Sequence, residues 1–185
     1  MISYCITDPS YYSDSTEKFS LYIEEIFQSH KVDMISFRDK RGINLEPFIK
    51  IFLDICKKYN TPALINSHID LALKYNFFGV HLTSSQFNKI SYAHNKKLFV
   101  IVSTHSLEEA KLAQKYGASL ITFSPIFHSP NKGKPKGLEA LKEVVDNLDI
   151  GCIALGGIMS QKEIDSCQKA GSYGFASIRF FANKV

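Results

Sequence analysis

Residues 63–82, ALINSHIDLALKYNFFGVHL, contain two short apolar runs on either side of an amphipathic segment. The runs, Ala63–Asn66 and Gly79–Leu82, have the length of buried strands, whereas the segment between them has the apolar spacing of a helix. A strand, a crossover helix and a second strand form the repeating unit of a parallel sheet. The first strand leads into Asn66, Ser67 and His68, at the sheet edge where parallel α/β proteins keep their functional residues.

The same alternation continues along the whole chain and predicts eight strands. They are Ile2–Thr7, Met34–Arg38, Ala63–Asn66, Gly79–Leu82, Leu98–Ser103, Leu120–Ser124, Cys152–Leu155 and Gly174–Ile178. Amphipathic segments separate the strands. One of them opens with Ser106 as an N-cap residue, has Glu109 three residues on, and ends on Gly117. Eight such units favour a (β/α)8 barrel.

The chain is short for this fold, which usually needs about 200 residues or more. It has 185 residues, the segment after the fourth strand holds little more than SSQFNKISYA, and only FFANKV follows the eighth. We therefore predict a compact (β/α)8 TIM barrel, a single domain over residues 1–185, with a shortened fourth helix and a missing or stunted C-terminal helix. The alternative, an open doubly wound sheet, needs a glycine-rich first turn, and ITDPSYYSD is not one.

The composition excludes several classes of partner. The net charge is only +4 and the lysines are scattered, which favours anionic small molecules over nucleic acid. No apolar run approaches the roughly 20 residues that span a bilayer, so we expect no membrane contact. The missing tail helix is expected to expose apolar surface on the barrel wall, which a homodimer would cover.

The first residues, MISYCITDP, lack the basic region and the cleavage site of a signal peptide, so we expect a cytoplasmic protein. The four cysteines are Cys5, Cys56, Cys152 and Cys167. They have neither metal-ligand spacing nor a redox pair, which fits reduced thiols buried in the core.

A phosphate site is predicted at the last two strands, where barrels commonly hold phosphate. After the seventh strand, ALGGIMS provides Gly156 and Gly157, whose backbone amides can approach an anion, and a helix follows them. After the eighth strand, the chain continues with Ile178 and Arg179. The alternative for the paired glycines is a tight turn without a ligand.

The second strand ends in SFRDK, where alternation places Arg38 and Lys40 on the same side. Such a pair suits a phosphate or a pyrophosphate. The alternative is a solvated strand end at which Asp39 pairs with a helix lysine.

The longest loop, SPIFHSPNKGKPKG, follows the sixth strand and is typical of a lid or substrate loop. Lys132 would reach an anionic substrate, and His128 would act as a general acid or base. The alternative is a mobile, solvated basic loop. The histidines at the strand ends, His68, His81 and His105, have no metal-binding spacing, so no protein-built metal centre is predicted. We expect His81 to satisfy a hydrogen bond inside the barrel.

Taken in order, these stretches resemble the thiamine phosphate synthase/TenI family, whose members are (β/α)8 barrels of thiamine biosynthesis. The resemblance is carried by YCITD, SFRDK, INSHIDLAL, FGVHL, VSTHSLEEAKLAQKYGA, FSPIFHSPNK, KGLEAL, IALGGI and AGSYGFASI. Synthases in the family join an aminopyrimidine diphosphate to a thiazole phosphate with Mg2+ and release pyrophosphate. The TenI branch includes metal-independent tautomerases, which convert a carboxylated thiazole phosphate to its aromatic form by proton transfer.

The resemblance implies the roles of several residues. Arg38 and Lys40 match the basic pair that holds pyrophosphate in synthases. Asn66, Ser103 and Lys132 match substrate-binding residues on the third strand, the fifth strand and the lid. Gly156 and Gly157 match the loop that binds the thiazole phosphate.

The departures from the synthase pattern concern the metal. Ser67 and Gln86 stand where synthases have the two aspartates that bind Mg2+, and Ser36 replaces a usual glutamine. Mg2+ prefers carboxylate oxygen, so these residues should bind it poorly. Asp70, one helical turn from Ser67, is the nearest possible substitute.

The tautomerase pattern has a gap of its own, because Pro125 occupies the position where that branch has a histidine after the sixth strand. His128 is the nearest candidate for the base. Proton transfer needs only one base and a phosphate anchor, so the sequence favours a tautomerase that uses no cofactor and takes a thiazole phosphate. The alternatives are a divergent synthase, which would require Mg2+, and a non-catalytic thiazole phosphate-binding protein.

Overall fold

The computed structural model describes residues 1–130 and 132–182, and its core is a closed parallel barrel. The strands are β1 (Ile2–Ile6), β2 (Met34–Phe37), β3 (Ala63–Asn66), β4 (Gly79–Leu82), β5 (Phe99–Thr104), β6 (Leu120–Phe123), β7 (Gly151–Leu155) and β8 (Gly174–Ser177). Each strand pairs with the next, and β8 pairs with β1. The predicted (β/α)8 barrel is confirmed, and each predicted strand lies within a residue of the observed one.

A helix follows every strand. The helices are α1 (Thr16–Ser29), α2 (Glu46–Lys58), α3 (Ile69–Lys74), α4 (Ile90–Asn95), α5 (Leu107–Lys115), α6 (Gly137–Asp146), α7 (Gln161–Lys169) and α8 (Arg179–Ala182). The fourth is short, as predicted, and follows a 3-10 segment over Ser84–Lys89. The C-terminal helix has four residues within the described range, and the rest of its predicted segment, 183–185, lies outside that range.

The alternation of side chains along the strands divides the core into two parts. One set of residues fills the barrel interior, including Tyr4, Leu64, Ile101 and Ile153. The opposite set, together with the inner faces of the helices, forms the larger core between barrel and helices. Towards the carboxyl ends of the strands the interior becomes polar, which places functional groups where the barrel opens.

The short α8 covers part of the barrel wall. Phe181 is buried, and its ring stacks on Phe175 at a centroid distance of 5.7 Å. The premise of the predicted dimer, an uncovered wall at this point, is therefore weaker than the sequence suggested, and the dimer stays a prediction. All four cysteines are free and buried. Among the described helices, none is long and apolar enough to cross a bilayer.

Candidate active site

A cavity of about 650 Å³ opens at the carboxyl ends of the strands. Every residue predicted from the sequence to bind substrate lines it: Arg38, Lys40, Asn66, Ser103, Lys132, Gly156, Gly157, Ile178 and Arg179. His128, the predicted base, does not line the cavity, and its side chain is exposed. The closed barrel therefore brings together all of the predicted binding groups but not the predicted proton-transfer group.

The β2 side of the cavity carries converging positive charge. Nη1 of Arg38 lies 2.6 Å from Oδ2 of Asp8 and forms an ion pair with it. The neighbouring charge of Arg38, then burial, then the charge of Lys132 lower the pKa of Lys40. The charges of these neighbouring cations repel one another, and an anion bound among them would relieve that repulsion. The arrangement therefore suits a phosphate or a carboxylate.

Asp39 does not pair with a helix lysine, which was the alternative raised from the sequence for this strand end. Its side chain is buried and forms an ion pair with Arg41 at 2.5 Å, and the Tyr12 hydroxyl donates to Oδ2 at 3.0 Å. Burial opposes ionisation, but the bonds from Arg41 and Tyr12 outweigh it, so the pKa of Asp39 is lowered. Asp39 therefore stabilises the loop after β2 and does not pair with the cations that line the cavity, Arg38 and Lys40.

The β7–β8 side of the mouth is built from backbone. Gly156 and Gly157 have φ values of 98° and 75°, a left-handed conformation that glycine adopts without strain. A Cβ on Gly157 would lie 2.5 Å from the carbonyl oxygen of His128, so the loop after β6 packs directly on this turn. Within the described residues, neither the Gly157 amide nor the Ile178 amide donates a hydrogen bond. These two N–H groups and Arg179 are suited to a phosphate group.

The β3–β4 side is held by a side-chain amide. Nε2 of Gln86 donates to the Ser67 carbonyl at 3.1 Å, while its Oε1 accepts from the Thr83 amide at 3.1 Å. Oγ of Ser67 donates to Oδ1 of Asn66, whose Nδ2 donates to the His81 carbonyl. The amide of Gln86 thus joins the loops after β3 and β4 with ordinary hydrogen bonds.

These residues do not fit the magnesium ion of synthases. The oxygens of Gln86 and Ser67 are engaged in the bridge, and neither residue carries a charge to neutralise a divalent cation. Asp70 is exposed and does not line the cavity. Over residues 1–130 and 132–182, no three His, Cys, Asp or Glu side chains are grouped so that they could hold a metal ion.

A buried chain of polar groups forms the floor of the cavity. The ring of His81 lies between Tyr4, whose hydroxyl is 3.0 Å from Nδ1, and Ser103, whose Oγ is 3.0 Å from Nε2. Burial, reinforced by the charge of Arg38, lowers the pKa of His81 to about 4. His81 is therefore neutral at physiological pH and orients the Ser103 hydroxyl, in line with its predicted place in a hydrogen bond inside the barrel.

A second histidine, His105, lines the cavity directly after β5. Its Nδ1 lies 2.9 Å from the carbonyl oxygen of Ser124, the residue before Pro125. The sequence places His105 at a strand end, but its spacing to other residues carries no sign of a role. Only closure of the barrel shows that its ring reaches the segment where the TenI branch has its histidine.

The family model, the relatives in sequence and one solved structure of similar fold carry related names. The sequence model of the family described as "Thiamine monophosphate synthase" matches residues 3–181. "Putative thiamine-phosphate synthase 2" of Aquifex aeolicus (strain VF5) is 39% identical over 183 residues, which cover 96% of each chain. "Thiamine-phosphate synthase" of Methanobrevibacter smithii is 32% identical and aligns with 84% of this chain and 78% of its own. "Thiamine phosphate pyrophosphorylase from Pyrococcus furiosus" has a TM-score of 0.81 at 25% identity and covers 96% of this chain and 85% of its own.

Proposed function

The chain belongs to the thiamine monophosphate synthase family, and on that premise we propose that it isomerises a carboxylated thiazole phosphate to its aromatic form by metal-independent proton transfer. Membership of the family places the chain in thiamine biosynthesis, with phosphorylated small molecules as its substrates. The polar groups of the cavity support the finer assignment, isomerase rather than synthase.

One observation carries the proposal: the loops after β3 and β4 are joined by Gln86 through hydrogen bonds to Ser67 and Thr83. Joining a diphosphate substrate to a second molecule requires neutralisation of the departing pyrophosphate, which a divalent cation supplies in this family. The amide group of Gln86 makes its own hydrogen bonds and supplies no charge that could neutralise the pyrophosphate. An isomerisation by proton transfer releases no pyrophosphate, so it does not need a cation to neutralise one.

The anionic groups of the proposed substrate match the two polar sides of the cavity. Its phosphate fits the amides of Gly157 and Ile178 together with Arg179, and its carboxylate fits Lys40 and Lys132. Charge-assisted hydrogen bonds at both ends would fix the thiazole ring between them. His128, the base nominated by the sequence, stays a prediction. A cytoplasmic location fits the free, buried cysteines.

The test is an assay of aromatisation with purified protein, the non-aromatic carboxythiazole phosphate and excess EDTA, followed by NMR. We expect the protein to accelerate isomerisation at least 100-fold over the uncatalysed rate, since one positioned acid–base group typically contributes about that much. Lys40→Gln should weaken substrate binding. Lys134→Gln is the matched control because Lys134 is exposed and lies outside the cavity lining. Loss of all acceleration in EDTA would contradict the proposal.

A divergent synthase is the second candidate, favoured by the convergence of Arg38, Lys40 and Lys132, which also suits a diphosphate. It predicts Mg2+-dependent release of pyrophosphate when the aminopyrimidine diphosphate and the thiazole phosphate are mixed with the protein. The third candidate, a non-catalytic binding protein, predicts measurable affinity for the thiazole phosphate without turnover in either assay.

A further inference from the structure

We infer that His105, rather than His128, is the residue that moves the proton in this cavity. The inference rests on the proposed isomerisation and names its catalytic group. The position of the ring, the hydrogen bond of Nδ1 and the state of the other histidines and of Asp8 support it.

His105 is held rigidly at the mouth of the barrel. It follows β5 directly and precedes Ser106, whose side chain accepts from the Glu109 amide as the N-cap of α5. The backbone amide of His105 donates to Oε2 of Glu109 at 2.6 Å. A strand end and a helix cap thus fix the backbone on both sides of the ring, as a catalytic group requires.

The hydrogen bond of Nδ1 determines the tautomer of the ring. A carbonyl oxygen only accepts, so Nδ1 carries the proton in the 2.9 Å bond to Ser124. In the neutral ring, the lone pair is then on Nε2, which makes no hydrogen bond to any residue of 1–130 or 132–182. The free basic nitrogen therefore belongs to a ring that lines the cavity.

The same bond also suits the protonated ring. When Nε2 accepts a proton, the bond from Nδ1 to the Ser124 carbonyl becomes charge-assisted and strengthens. The backbone thus maintains the orientation of the ring in both protonation states, in the way that a buried partner orients a catalytic histidine.

His105 lies close to the glycine turn. Its ring contacts Ser124, and the next residue, Pro125, has its Cα 2.8 Å from the place where a Cβ on Gly156 would be. Only the end of β6 separates His105 from the proposed phosphate site. The inference requires that the thiazole ring, joined to that phosphate by a short linker, lies against Nε2.

The proton transfer balances without a co-reactant. Nε2 takes a proton from the saturated ring carbon, the C–H bond breaks, and its electron pair enters the π system of the ring. The imidazolium then returns a proton to the far end of the conjugated system, where a new C–H bond forms. The product is an isomer of the substrate, so nothing is oxidised or reduced.

The other histidines and the carboxylate at the cavity are poor candidates. Both ring nitrogens of His81 are engaged, by Tyr4 and by Ser103. Asp8 is the one carboxylate of the described lining, and it is occupied by Arg38 and by Ser10. The side chains of His68 and His128 are exposed and do not line the cavity. His105 is the lining residue that combines a free basic nitrogen with a fixed orientation.

The decisive variant is His105→Asn, because the asparagine amide can replace Nδ1 as donor to Ser124 while it removes Nε2. We expect kcat for aromatisation to fall at least 100-fold, with KM and thiazole phosphate affinity changed less than threefold. His68→Asn, the matched control, should leave kcat within twofold of wild type, because His68 is exposed and lies outside the cavity lining. Deuterium uptake from D2O into the substrate should fall in parallel with kcat.

A second variant keeps the test decisive if His105→Asn does not fold. His105→Ala should have almost no activity, and added imidazole should raise the rate of this variant at least tenfold. Turnover by His105→Asn within fivefold of wild type, or loss of turnover in His128→Asn alone, would overturn this inference and leave the proposed function standing. Absence of turnover by the wild-type protein would overturn both.

Discussion

The two sides of the cavity mouth bind by different means. On the β3–β4 side, the groups are side chains: Gln86, Ser67 and Asn66 are bonded to one another and to neighbouring backbone. On the β7–β8 side, the groups are backbone amides, exposed by a glycine turn whose geometry the adjacent loop enforces. The first side satisfies its own polar groups, while the second leaves donors for a ligand.

This difference shows which half of the site a protein can alter at little cost. Side chains on a strand end change by single substitutions, so metal ligands can be exchanged for an amide bridge without disturbing the barrel. A backbone site depends on left-handed φ values and on close approach of two loops, so almost any substitution damages it. In the resemblance drawn from the sequence, Gly156 and Gly157 match the family pattern, whereas Ser67 and Gln86 depart from it.

The largest expected effect concerns the β3–β4 side, where the His81 carbonyl accepts from Asn66 and the His81 ring is buried. The pKa of His81 is about 4 in the folded protein and about 6.5 in the unfolded chain. Between these values the unfolded state binds more protons, so stability is complete above pH 6.5 and falls as the pH is lowered to 4. The loss should be about 3 kcal/mol, measured by urea unfolding across this range.

The control for this experiment is His81→Gln, which lacks the titrating group. The variant should be less stable than wild type at neutral pH. Its free energy of unfolding should lack the loss of about 3 kcal/mol that wild type shows between pH 6.5 and pH 4. Parallel pH profiles for the two proteins would show that other groups cause the dependence.

The second effect concerns the β7–β8 side. Gly157→Ala combines a φ of 75° with a Cβ placed 2.5 Å from the His128 carbonyl, whereas Gly42→Ala has a φ of 73° and open space. Both should lose about 1 kcal/mol or more from the left-handed conformation. Gly157→Ala should lose roughly 1–3 kcal/mol further and bind thiazole phosphate at least tenfold more weakly, as measured by unfolding and calorimetry. Equal losses of stability in Gly157→Ala and Gly42→Ala would show that the loop after β6 can move away from the glycine turn after β7 at no cost.

The third effect tests the amide bridge. Gln86→Glu keeps the acceptor for the Thr83 amide but loses the donor to Ser67, so the free energy of unfolding should fall by about 1–2 kcal/mol in EDTA. Wild-type protein should show the same unfolding midpoint with and without Mg2+. A wild-type midpoint that rises with Mg2+ would contradict the bridge as a substitute for the metal.

A gain-of-function variant sharpens the same comparison. Ser67→Asp with Gln86→Asp restores the two carboxylates of the synthase pattern, and aspartate tolerates the φ of 69° at residue 67 better than most residues do. The unfolding midpoint of this double variant should rise with millimolar Mg2+. An unfolding midpoint that does not change with Mg2+ would show that these two carboxylates are not enough to form a magnesium site.

The smallest effect concerns the cations opposite the glycine turn. Lys40→Gln removes a charge that is crowded by Arg38 and Lys132 and should weaken binding of the carboxylated thiazole phosphate about fivefold at low salt. The difference from wild type should shrink towards 0.5 M salt, because screening acts on partly exposed charges. A loss that is independent of salt would point to a packing role for the side chain.

Much of the fold could be predicted because each strand is a short apolar run and an amphipathic segment separates it from the next strand. The two apolar runs in residues 63–82 and the amphipathic segment between them were enough to identify the repeating unit, and eight such units form the closed barrel. The fate of Asp39 could not be predicted, since Tyr12 and Arg41 meet it only after the loops around β2 have folded. The role of His128 could not be judged either, because the direction of a loop side chain depends on packing against Gly157.

The sequence by itself determined the order of the strands, the glycine turn at Gly156 and Gly157, and the absence of the metal-binding acids, because these depend on residue type and local spacing. Tertiary structure alone decided which groups meet. Gln86 reaches the Ser67 carbonyl and His105 reaches the Ser124 carbonyl, each pair separated by 19 positions along the chain. Such contacts join the ends of adjacent strands, and the register of a closed parallel barrel, rather than any local pattern, sets which residues face each other there.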